Sequence, residues 1–116
     1  MNSINLFDIF NKTSINNRAK ENWDFKSDTS RLKAGHKYKH IFKEKDVSLC
    51  DWTNLFDNLS RPQQILLIKS ELIRTYDALP NIDKTKLKTK LNLSMFASKW
   101  YKLPSTDKNK LLKYVI

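Results

Sequence analysis

The chain has 116 residues, 40% of them hydrophobic and 29% charged, enough for one small core and too apolar for a disordered polyelectrolyte. One glycine and three prolines leave few tight turns, which argues against a β-sandwich or barrel and for an all-α protein. Lys and Arg outnumber Asp and Glu by 22 to 12, and the net charge of +10 points to a polyanionic partner, most often nucleic acid.

Residues 1–34 are rich in Asn, Ser, Asp and Lys around a short apolar cluster of Ile4, Leu6, Phe7, Ile9 and Phe10. They read as a flexible or targeting segment. The cluster suits the start of a mitochondrial presequence, an idea weakened by Asp8 and the lack of early arginine; a mobile or docking tail is the other reading. Residues 35–59 read as a helical extension. Within them Trp52, Leu55, Phe56 and Leu59 fall at i, i+3, i+4 and i+7, the spacing of one core-facing helical stripe.

The clearest start signal is Ser60-Arg61-Pro62-Gln63, which supplies an N-cap hydroxyl, a proline near the first helical position and a capping-box glutamine. It predicts a helix over about 61–78. Ile65, Ile68, Leu72, Ile73 and Tyr76 make its apolar stripe with Leu66 on the flank, while Leu67 points almost opposite, toward Glu71 and Arg74. Leu79-Pro80-Asn81 ends that helix. Residues 82–93 alternate like a strand through Thr85, Leu87, Thr89, Leu91 and Leu93, but no second alternating segment exists to pair with them, so a helix is favoured. Met95, Phe96 and Trp100 continue the apolar packing. Leu103-Pro104-Ser105-Thr106-Asp107 then opens a last short helix with Leu111, Leu112 and Val115. The expected architecture is a small helical bundle.

The charge is uneven, with a net of +2 over residues 1–60 and +8 over residues 61–116. In the second half Lys84, Lys86, Lys88, Lys90, Lys99, Lys102, Lys108, Lys110 and Lys113 interleave with apolar residues, and only four acids are at hand to pair with them. A polyanion-binding surface is the reading preferred over plain solubilisation of helix faces.

Two stretches also resemble the HMG box. Arg61-Pro62-Gln63-Gln64-Ile65-Leu66-Leu67-Ile68-Lys69-Ser70 is similar to the opening of its first helix. Met95-Phe96-Ala97-Ser98-Lys99-Trp100-Tyr101-Lys102-Leu103-Pro104-Ser105-Thr106-Asp107-Lys108 resembles the corner between its second and third helices. The likeness covers residues 61–116, about half the chain, in the style of small fungal boxes that package mitochondrial DNA. It departs from the family where Lys69 replaces an aromatic core residue and where the chain ends soon after Lys108, giving a shortened third helix. A further echo, Trp52-Thr53-Asn54-Leu55 against the Trp-x-x-Leu of Trp100 to Leu103, makes Ser60–Leu79 readable as the third helix of an earlier, degenerate box.

The resemblance implies a non-enzymatic protein that binds the minor groove of double-stranded DNA with little sequence specificity and bends it. Leu67 would be the wedge between base steps, and Gln64 would bond base edges. Arg61, Ser70 and Arg74 would contact backbone or groove, and Lys84, Lys86, Lys88, Lys90, Lys99 and Lys102 would neutralise phosphates. The alternative for Leu67 is packing against residues 37–59. Mitochondrial DNA organisation is the implied setting, with a nuclear one as alternative.

No enzyme pattern stands out. His36 and His40, with Cys50 or Asp46, only sketch a zinc site, and a single glycine, Gly35, cannot build a phosphate-cradling loop, so no metal and no cofactor are expected. The lone cysteine suits a reducing compartment, and the longest apolar run, Ile65 to Ile68, is far short of the roughly 18 residues of a membrane span. Two other functions compete: a basic protein binding structured RNA or the ribosome, and an assembly factor docking a protein partner through residues 1–60.

Overall fold

A computed structural model describes residues 5–42 and 51–116. Six α-helices follow one another: α1 (Leu6–Ile9), α2 (Lys12–Phe25), α3 (Asp28–Phe42), α4 (Arg61–Ala78), α5 (Asn81–Leu91) and α6 (Ser105–Val115). Short 3-10 turns at Phe56–Asn58 and Trp100–Lys102 precede α4 and α6. Among the described residues there is no strand, and the small all-α bundle is as the composition and periodicity require.

The predicted α4 start is present in full. Ser60 Oγ accepts from the Gln63 amide at 3.3 Å, and Gln63 Oε1 accepts from the Ser60 amide at 2.9 Å. The helix then differs from a simple amphipathic one. Gln63, Leu66, Leu67, Ile68, Glu71, Leu72 and Tyr76 are all buried, and these positions wrap most of its circumference. Leu67 therefore does not project into solvent; only 5% of it is exposed.

The cause is residues 5–34, which are helical and packed where the sequence predicts a flexible or targeting segment. Residues 5–34 are built into the core, with Phe10, Ile15, Ala19 and Trp23 joining one buried cluster that extends to Val115. The Asn11 side chain caps α2 by accepting from the Ser14 amide at 2.8 Å. Ile15, Ala19 and Trp23, spaced by four, then turn one face inward. Arg18 pins α1 and α2 to α4. Its Nη2 donates to the Ile9 carbonyl at 2.9 Å and to Thr75 Oγ1 at 3.2 Å, and its Nε meets buried Glu71 at 3.1 Å. The expected helix through Trp52, Leu55, Phe56 and Leu59 is instead a turn followed by a 3-10 turn. Trp52, Phe56 and Leu59 are buried as their stripe requires, but Leu55 is exposed.

The fold contains an internal repeat: α2, α3 and α4 form one three-helix unit, and α4, α5 and α6 form a second. Each first helix ends in an aromatic residue followed by aspartate, Trp23-Asp24 and Tyr76-Asp77. The aspartate Oδ1 accepts from the first amide of the 3-10 turn at 2.8 Å, Phe56 in one unit and Trp100 in the other. The aromatic donates to a carbonyl just before that turn, Trp23 Nε1 to Asn54 at 2.9 Å and Tyr76 Oη to Ala97 at 2.6 Å. Each also packs edge-on against a tryptophan at 5.9 Å between ring centroids, Trp100 at the position of Phe56 in the second unit and Trp52 four residues earlier in the first. A buried cation on the second helix holds the neighbouring carbonyl, Arg31 Nε on Thr53 at 2.7 Å and Lys84 Nζ on Ser98 at 2.6 Å. Phe56-Asp57-Asn58-Leu59 thus matches Trp100-Tyr101-Lys102-Leu103, which shifts the Trp-x-x-Leu echo of the sequence by four residues.

Trp52 fits because Gly35 on α3 has no side chain. A Cβ there would lie 2.1 Å from Trp52 Cδ2. Gly35→Ala should therefore cost about 1–3 kcal/mol by overpacking, read as a lowered urea midpoint at unchanged slope. Deletion of residues 1–34 should abolish cooperative thermal unfolding, since it strips the α2 cover from Leu67 and removes Arg18, one of the two partners of Glu71.

Candidate nucleic-acid interface

The structure sorts the expected contact residues into three groups. The first lies on α4, and of its members only Leu67 is buried. Leu67, Ser70 and Arg74 line a cavity of about 30 Å3 with Trp23 and Tyr38, beneath α2 and α3. Leu67 is covered here mainly by Ala19 and Trp23 of α2, with Tyr38 the one residue of 37–59 that lines the cavity, so it is not an exposed wedge. Arg74 is exposed, yet its guanidinium is committed to Glu71, with Nε at 3.0 Å from Oε2. Gln64 is half-buried, and its Nε2 donates to the Phe56 carbonyl at 2.9 Å. Arg61 is exposed at the start of α4 and only brushes Gln64, at 3.4 Å.

Lys84 alone forms the second group. It is 4% exposed, with Nζ on the Ser98 carbonyl, 3.5 Å from that of Asp77 and 5.4 Å from the Tyr76 ring centroid. Burial, aided by the Lys99 charge, holds its pKa below the usual lysine value, against the opposing pull of Asp77. It is a staple of the fold and not a phosphate ligand.

The third group faces solvent. Lys86, Lys90, Lys99 and Lys102 are exposed and Lys88 is half-buried, and on α6 Lys110 and Lys113 are exposed as well. Lys90 Nζ rests 4.4 Å from the Phe7 ring centroid, and Lys110 Nζ donates to the Asn92 carbonyl at 2.7 Å. Among the described residues none of these lysines makes an ion pair; the four ion pairs are Arg18–Glu71, Lys20–Asp57, Arg31–Asp28 and Arg74–Glu71.

The reason lies with the acids of the C-terminal half. Glu71 serves Arg18 and Arg74, Asp77 holds the Trp100 amide, and Asp107 accepts from the Ser94 amide and hydroxyl, both at 2.9 Å. With these carboxylates held against backbone and arginine, and no acid between Asp83 and Asp107, a cationic surface remains over α5, the 92–104 segment and α6.

That segment is itself well fastened. Asn92 ends α5 in the left-handed conformation, φ 54°, which asparagine tolerates better than most residues. Leu93, Ala97, Trp100 and Leu103 are buried beneath it. Met95 and Phe96 correct the expectation of continued core packing, being 42% and 40% exposed. Tyr101, within the stretch that resembles a helix corner, is 72% exposed. Burial raises the Tyr76 phenol to about 12, with Asp77 and Asp107 adding to the effect, so it remains a donor to Ala97 across the physiological range.

His36 and His40 lie on the exposed side of α3, while Cys50 and Asp46 fall outside the described residues. Among the described residues no group of three or more His, Cys, Asp and Glu side chains gathers, and no helix is long and apolar enough to cross a membrane.

Burial pushes the Asp107 carboxyl up, but the bonds from Ser94 and Met95 and the charge of Lys110 outweigh it and hold the pKa below its ordinary 3.8. A depressed carboxyl stabilises the fold fully above that ordinary value, and the contribution is lost as pH falls through the folded-state value. Denaturant titrations from pH 5 down to pH 2 should show this acid loss, and Asp107→Asn should flatten it while lowering stability at pH 7. Comparison with protein-family models, with characterised proteins and with solved structures finds no match, so the likeness to the HMG box stands on its residues alone.

Proposed function

We propose that the protein is a non-enzymatic nucleic-acid-binding protein that grips the phosphate backbone with little sequence preference. The observation that supports this most is the set of exposed lysines on α5, the 92–104 segment and α6, none of them ion-paired among the described residues. Lysine ammonium groups on a fixed helical scaffold displace counterions from phosphates and read shape and charge in preference to sequence. Bending by a Leu67 wedge is not part of this reading, because Leu67 is core. Arg61 is the one residue of the predicted helix-1 set left exposed with only a long contact, to Gln64, and it adds a further cation at the start of α4.

The test is binding to a 20-base-pair duplex across a salt series. A log–log slope of several units is expected, and Lys86→Ala and Lys113→Ala should each reduce it by about 0.9. Lys84→Met should leave the slope unchanged while costing about 1–3 kcal/mol of stability, through the unpaired Ser98 carbonyl. A slope near zero for the unaltered protein would refute the reading.

A further inference from the structure

The two units share the kinds of hydrogen bond that organise the turn, although buried Trp52 aligns with exposed Phe96, and they differ further where the 3-10 turn meets solvent. In the first unit the 3-10 turn presents Leu55, Asp57 and Asn58, and Asp57 is tied to Lys20. In the second unit the matching positions are Lys99, Tyr101 and Lys102. The bonds from Asp24 and Asp77, from Trp23 and Tyr76, and from Arg31 and Lys84 fix the same scaffold in both. The exchange of an apolar, an acidic and an amide residue for a lysine, a tyrosine and a lysine changes none of those inward bonds.

Tyr101 stands 72% exposed on a turn whose backbone is bonded from below, and Lys102 Nζ lies 5.9 Å from its ring centroid. Phe96 and Met95, in the same segment, add exposed apolar surface. An exposed ring on a fixed backbone loses little conformational entropy when a flat partner covers it. Flanking ammonium groups call for that partner to carry negative charge on a flexible linker. Unpaired nucleobases on a phosphodiester backbone meet both demands, whereas bases in a duplex present only their edges.

We infer that the 94–102 segment is a stacking platform for single-stranded nucleic acid, with a base on Tyr101, a neighbouring base on Phe96, and the backbone between Lys99 and Lys102. This rests on the lysine-borne affinity proposed above and assigns the form of nucleic acid it serves.

The experiment compares an oligothymidylate 20-mer with a 20-base-pair duplex by fluorescence anisotropy, at one salt concentration, for the full chain and its variants. The unaltered protein should prefer the single strand. Tyr101→Ala should weaken single-strand binding roughly five- to hundred-fold, leaving duplex binding and the melting temperature unchanged, and Tyr101→Phe should restore it. Equal binding of both forms by the unaltered protein, or an equal loss on both with Tyr101→Ala, would overturn the platform while leaving the lysine reading in place. Binding of neither form would overturn both.

Discussion

Everything in this fold depends on α4 being used twice. One ladder of the helix, Gln63, Leu67 and Glu71, faces the first unit and corresponds to Asp107, Leu111 and Val115 on α6. The other, buried Ile68, Leu72 and Tyr76, ends in the Tyr76 contacts with Ala97 and Trp100 of the second unit and corresponds to Ile15, Ala19 and Trp23 on α2. A helix with two buried ladders cannot present a third to a ligand, which is why the residues expected to touch DNA from α4 are mostly occupied with the protein itself. The functional surface is displaced to the outer helices and the turn between them.

The same constraint shapes the electrostatics. Each unit needs an aspartate at the end of its first helix and a buried cation on its second to organise a turn with almost no glycine. In the second unit these demands, with those of Asp107 on Ser94, absorb most of the local carboxylates. A hydrogen-bonded carboxylate in a low-dielectric setting does more for the fold than a surface ion pair would, whose worth is commonly below about 1 kcal/mol. The surplus of lysine is thus a by-product of how the acids are deployed as well as a feature of composition.

Local signals made the helices legible. The capping box placed the start of α4, Leu79-Pro80-Asn81 its end, and Leu103-Pro104 the start of α6. Periodicity also identified Leu67 as anomalous, but a single-helix projection assumes one buried face, so it read the second ladder as a surface. Residues 1–34 look polar because each turn of α2 brings only one apolar residue inward, Ile15, Ala19 and then Trp23, and sparse patterning of this kind resembles a tail. The repeat was visible only as an echo in the wrong register, since its matching contacts run through chemically different pairs, Trp23 with Tyr76 and Arg31 with Lys84. The lysines of the candidate interface were legible as charge. That Lys84 differs from its neighbours required seeing which face of α5 it occupies.

Structures built from units that share helices resemble short arrays, and an array leaves an unsatisfied face at each end. Here those two faces meet. Asn16 Nδ2 donates to the Val115 carbonyl at 2.7 Å, and Phe10 stacks on Tyr114 at 6.2 Å, so α6 closes onto α1 and α2. Closure of this kind fixes the copy number: a third unit inserted between them would part α2 from α6 and strand both apolar faces in water. The pair is closed on itself, and the positions at which its turns differ face outward.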